Sequence, residues 1–123
     1  MPTDITIYLE KGELPAQLDD SATGEAIRKA LPLEGTASRW GDEIYFTIPV
    51  HLPEAPDARQ DMAVGELGYW PVGAAFCIFF GPTPASRGQE IRAASAVNPI
   101  GQIIGDARIF KSVADGEKVT LSR

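Results

Sequence analysis

The sequence predicts a mainly β protein: a closed barrel of about eight short strands with one or two capping helices, or a sandwich of the same strands. Three observations carry this. Apolar and polar residues alternate in several short runs; 12 Gly and 10 Pro punctuate the whole chain; and only one segment has good helical spacing. Two of the strands are wholly apolar, and closure would hide the edges they otherwise expose.

Ile5, Ile7 and Leu9 alternate with Thr6, Tyr8 and Glu10, the period of a half-buried strand. Lys11-Gly12 is a turn, and Leu14, Ala16 and Leu18 complete a hairpin in which Pro15 demands an edge or a bulge. From Asp20 or Ser21 the spacing becomes helical, with Ala22, Ala26, Ile27, Ala30 and Leu31 on one stripe after a capping residue and Pro32 as the stop. That stripe needs a surface to cover, which makes the helix a plug for an open end of the sheet. Residues 36–40 and 43–50 flank Gly41-Asp42 as a second hairpin. Ile44, Phe46, Ile48 and Val50 share one face, with Tyr45 and Thr47 on the other. Residues 51–63, with Pro53 and Pro56, read as an exposed loop of a length that is often functional or mobile. A polar stretch over 85–96 follows later, residues 103–113 mix strand and short-helix character, and Val119 with Leu121 offers a last strand.

The segment GELGYWPVGAAFCIFFGPTP, residues 65–84, concentrates Tyr69, Trp70, Phe76, Phe79 and Phe80. Two apolar runs, 67–70 and 74–80, are separated by Pro71 and Gly73 and closed by Gly81, Pro82 and Pro84, a strand–turn–strand–stop pattern.

At 123 residues the chain has the size of one domain, residues 1–123, large enough to fold without metal or disulfide support. Its hydrophobic share of 44% and charged share of 23% are those of a globular protein. A net charge of −6 with scattered basic residues opposes nucleic-acid binding. No apolar run has spanning length and the N-terminus has no secretory pattern, so no membrane association and a cytoplasmic location are expected. The single cysteine, Cys77, excludes an internal disulfide. Flanked by Phe76, Ile78, Phe79 and Phe80, it reads as a buried thiol rather than a nucleophile.

Catalytic constellations are thin. His51 is the only histidine and reads as a solvated loop residue, so no metal site and no cofactor are expected. Asp42-Glu43 falls in a predicted turn, where carboxylates make local hydrogen bonds. The serines lack a nucleophile-elbow context, and Gly81-Pro82-Thr83-Pro84 is too proline-rich to cradle phosphate. The aromatic set is different. Trp40, Tyr45, Tyr69, Trp70 and Phe76 cannot all fit inside a narrow barrel already filled by Phe46, Ile78 and Phe80. Some of them either form a groove on the surface or fill a second, smaller core beneath the long loops.

The run at 65–84, with RWGDEIYFTIP before it and NPIGQIIGD after it, resembles the prokaryotic cyclophilin-like family of small barrel proteins. The resemblance covers nearly the whole chain and implies an eight-stranded cyclophilin-type barrel. A more distant similarity to the true cyclophilins, the peptidyl-prolyl isomerases, bears on mechanism. Their pattern G-x-L-S-M-A-N-x-G matches residues 65–73 in spacing and places Trp70-Pro71 at the Ala-Asn pair that touches the peptide. Their F-H-R-V-I-P run resembles residues 44–49 and sets Phe46 where the catalytic arginine would be. Alternation points Phe46 inward, whereas the isomerase match points it into an outer groove; on the first alternative Tyr45 and Thr47 face the groove.

Rotation about X-Pro has a barrier of about 18 to 20 kcal/mol, and an isomerase lowers it with donors that favour the twisted amide. Phenylalanine donates nothing. If one charged donor supplies roughly 3 to 4 kcal/mol, its loss removes two to three orders of magnitude of rate. The resemblance carries over no established activity; from the aromatic set and the missing arginine we expect a binder of a small molecule or an extended peptide, without efficient isomerase activity, with Arg39, Tyr45, Phe46, Tyr69, Trp70 and Phe76 as its candidate site residues. The alternatives are a weak isomerase in which Arg39 or Tyr45 replaces the arginine, and an accessory role in amide or urea metabolism on fold analogy alone. A homodimer is also expected.

Overall fold

Residues 2–123 are described by a computed structural model. The chain opens with strands β1 (Thr3–Leu9) and β2 (Gly12–Leu18), the expected hairpin. Pro15 needs no bulge. Its carbonyl accepts the Ile104 amide at 2.9 Å one position past the last rung of the β2–β9 ladder, so the N–H that proline lacks removes no bond from that ladder. Helix α1 (Ala22–Ala30) follows, with the Ser21 hydroxyl accepting the Gly24 amide at 3.1 Å as N-cap. Ile27 is the side chain it buries in the core.

Strands β3 (Leu33–Thr36), β4 (Ser38–Arg39), β5 (Glu43–Thr47), β6 (Arg59–Met62), β7 (Glu66–Trp70), β8 (Ala75–Phe79), β9 (Ile91–Ile103) and β10 (Lys118–Ser122) complete the β structure, with 3-10 turns at Pro71–Gly73 and Ala107–Ser112. Nine strands run in the order β3-β10-β1-β2-β9-β7-β8-β5-β4, every pairing antiparallel, and β6 pairs with β9 off this path.

Two expectations need correction. The barrel is not closed by hydrogen bonds: among the described residues no ladder joins β3 to β4, so the sheet is one open path. Its two ends are consecutive in the chain, separated by Ala37, whose amide donates to Glu117 O and whose carbonyl accepts from Gly116 N, both at 2.7 Å. Gly35 on β3 lies so close to the Phe46 ring on β5 that a β-carbon there would overlap it. Side-chain packing brings the ends together where a ladder does not.

The strand count is ten rather than about eight. β6 falls within the expected loop at 51–63, and the first half of β9 falls within the expected polar stretch at 85–96. These segments pair with each other, which satisfies their backbones although few of their side chains are apolar. The rest of the 51–63 loop is held as well. The Tyr69 hydroxyl donates to Val50 O at 2.6 Å and accepts from Leu52 N at 3.1 Å, while Asn98 Oδ1 accepts the Ala55 amide at 2.8 Å.

The sheet carries a core on each face. Inside lie Ile5, Ile7, Leu18, Ile44, Phe46, Phe76, Ile78, Ile100 and their neighbours. On the outer face the β6–β9 ribbon covers a second cluster of Met62, Ala75, Cys77, Phe79, Ile91, Ala93 and Val97. This explains why β8 is apolar throughout: Phe76 and Ile78 point inward, Ala75, Cys77 and Phe79 point outward, and both sets are buried.

Candidate functional site

Alternation along β5 separates the sequence-predicted site residues. Phe46 pairs with Phe76 across the ladder, the two rings stacking at 5.4 Å inside the sheet, so periodicity prevails over the isomerase match at this position. Tyr69 is also fully buried, its hydroxyl engaged with Val50 and Leu52. Phe46, Tyr69 and Phe76 therefore present no surface to a ligand.

Arg39 also stays away from the outer face. It sits opposite Ile44 in the register, hence on the inner side, and its guanidinium caps carbonyls of the 3-10 turn. Nη1 donates to Lys111 O at 3.1 Å and Val113 O at 2.9 Å, Nε donates to Gly41 O at 2.6 Å, and Nη2 bonds Asp42 at 3.1 Å. The cation lies 5.0 Å above the Phe80 ring centroid.

Tyr45 and Trp70 do come together. They project from the outer face with ring centroids 6.1 Å apart and planes at 74°, an edge-to-face pair. With Trp40, Ala93, Ala94 and Val97 they line an apolar cleft of about 170 Å³ between β5 and the ribbon. Trp70 is fixed on two sides: its Nε1–H donates to Ser95 Oγ at 2.6 Å, and Gly73 lies under its six-membered ring with no room for a β-carbon. Both readings of the aromatic set thus hold in part, since Tyr45 and Trp70 pack on the second core and also form the wall of a groove.

The sequence reading missed Glu43. It lies on the same face of β5 as Tyr45, two residues earlier, and is only 5% exposed. Its Oε1 is buried without a hydrogen-bond partner among the described residues. Burial raises the carboxyl to about 7, with the nearby Cys77 thiol partly offsetting the rise. Burial, followed by the charge of Glu43, pushes the Cys77 thiol well above its ordinary value, so it stays protonated and unreactive. Strand alternation was the one available signal for Glu43; its burial beside Phe79 cannot be read locally.

A larger depression of about 520 Å³ is lined by Arg59, Asp61, Glu66 and Gln102, but its guanidinium is already paired with Glu66. His51 is exposed. Among the described residues no group of three or more His, Cys, Asp or Glu is placed to hold a metal, and no helix is long and apolar enough to cross a membrane.

A curled antiparallel sheet with one short helix and an aromatic cleft on its outer face defines a cyclophilin-type domain. The cyclophilin-like family profile matches residues 3–122, and the chain belongs to that family. It is similar to the solution structure of a hypothetical protein from Archaeoglobus fulgidus, with 41% identity, a TM-score of 0.83, and coverage of 99% of this chain and 95% of that one. A comparison with curated proteins finds no match.

Proposed function

We propose that this protein binds an apolar portion of a small molecule or extended peptide in the cleft of Trp40, Tyr45 and Trp70, and that it is not an efficient prolyl isomerase. One observation carries the reading: two large outer-face aromatic side chains, Tyr45 and Trp70, are held edge to face around a cleft instead of being fully covered. Rigid aromatic rings lose little entropy on binding and supply much contact area. No guanidinium lines the cleft, and Arg39 is committed to the 107–113 segment. An arginine donor for a twisted prolyl amide is therefore missing from the place where a peptide would lie. The free, buried Cys77 fits a reducing, cytoplasmic setting.

Two measurements test this. A panel of proline-containing peptides and apolar small molecules is titrated while tryptophan fluorescence is followed, with binding expected for wild type and lost in Trp70→Ala. In a peptide isomerisation assay no acceleration is expected. Acceleration that disappears in Arg39→Ala would establish the weak-isomerase alternative instead.

A further inference from the structure

We infer that the cleft takes the alkylammonium head group of an organic cation, with Glu43 as the counter-charge beneath the aromatic rings; this rests on reading the cleft as a ligand site. Three aromatic side chains, two of them tryptophan, converge there. Aromatic faces carry negative electrostatic potential and attract cations, tryptophan most strongly. The remaining lining is Ala93, Ala94 and Val97, so no basic side chain competes for the rings.

The position of Glu43 adds the charge. The Trp40 amide donates to Glu43 O at 2.9 Å across the β4–β5 turn, and Tyr45 follows two residues later on the same face of β5, so Glu43 is the outer-face neighbour of two cleft residues, buried behind the lining rather than part of it. Its partner in the ladder is Phe79, which packs in one cluster with Ala93 and Val97, the aliphatic wall of the cleft. Among the described residues this buried carboxyl has an oxygen with no hydrogen-bond partner, which is costly whenever the group is ionised. An anion would be repelled there, and a neutral apolar ligand would do nothing to offset the buried charge. A cation answers both the rings and the carboxylate. The volume of about 170 Å³ holds roughly five water-sized groups at about 30 Å³ each, the size of a trimethylammonium group and its first carbon.

The experiment uses the full chain and two probes of nearly the same shape: choline and its neutral isostere 3,3-dimethylbutan-1-ol, at matched ionic strength. The protein has two tryptophans, both in the cleft, so their indole N–H resonances report the site directly. Choline is expected to shift both resonances, and the alcohol to bind roughly tenfold more weakly. Glu43→Gln is expected to weaken choline about tenfold while leaving the alcohol within about twofold. Thermal melting of Glu43→Gln verifies folding, and Trp40→Ala gives a second variant expected to lose choline. Equal binding of the two probes, or choline binding indifferent to Glu43→Gln, would overturn the cation assignment and leave the apolar cleft standing. If neither probe moves the indoles the cation assignment fails, and the peptide and small-molecule titration then decides the cleft separately.

Discussion

The Trp70 indole N–H donates to the Ser95 hydroxyl at 2.6 Å, just past the point where the β7–β9 ladder ends at Tyr69 and Asn98. One side-chain bond thus continues the seam between sheet and ribbon and sets the angle of the ring that forms one wall of the cleft. Ser95→Ala is expected to cost about 1 kcal/mol of stability. It should also move the Trp70 indole N–H resonance upfield and weaken ligand binding, both of which NMR titration reads.

Glu43 makes stability depend on pH with a defined sign. Its carboxyl titrates near 7 in the native protein against an ordinary 4.5. Between those values the native state holds a proton that the unfolded chain has released, so stability falls as pH rises across the window, by about 3 kcal/mol in all. Urea unfolding at pH 5 and pH 8 should show this loss in wild type and its near absence in Glu43→Gln, the variant being the more stable of the two at pH 8.

Removing the Tyr69 hydroxyl leaves Val50 O and Leu52 N without the partner they share. Tyr69→Phe is expected to destabilise by about 1–3 kcal/mol and to speed amide exchange at Leu52. Its effect on the cleft should be small, because the ring packs on the opposite face of the sheet.

Phe46→Arg tests the isomerase match by installing the missing arginine. At a site stacked on Phe76 and closed by Gly35, the guanidinium would be buried without a counter-charge. A loss above about 4 kcal/mol is expected, seen as a collapsed melting transition rather than a gain of isomerase activity.

Arg39→Ala exposes what the guanidinium holds together. With the Lys111 and Val113 carbonyls uncapped and the Asp42 pair lost, roughly 1.5–3 kcal/mol of stability should go. Exchange protection should drop around residues 107–113, with no change in any isomerisation rate.

The parts of the fold legible in the sequence were those set by local periodicity. The hairpin of Ile5, Ile7 and Leu9 with Ala16 and Leu18, the Ser21 cap, the run through Phe76 and Ile78, and the inward face of Phe46 all follow from spacing within a few residues. What escaped depends on distant pairing. Arg59, Gln60 and Asp61 form a strand because Ile91 to Val97 lies beside them, and neither segment shows the alternation that would reveal it alone. The same limit applies to the cleft: Tyr45 and Trp70 stand among the six candidate site residues, but Ala93, Ala94 and Val97 come from a ribbon that only the folded chain lays across the sheet. Glu43 looked like a turn carboxylate for the same reason. The arginine at 39 was singled out by charge, and its direction was settled by register with Ile44.

Strand β8 answers to two cores at once, Phe76 and Ile78 to one and Cys77 and Phe79 to the other. Mutational drift is therefore constrained on both sides of the cleft's foundation, while the rim at Trp40 and Ala94 can vary without disturbing either interior. Exchanges at the rim alone would reshape the opening while the chassis stays the same.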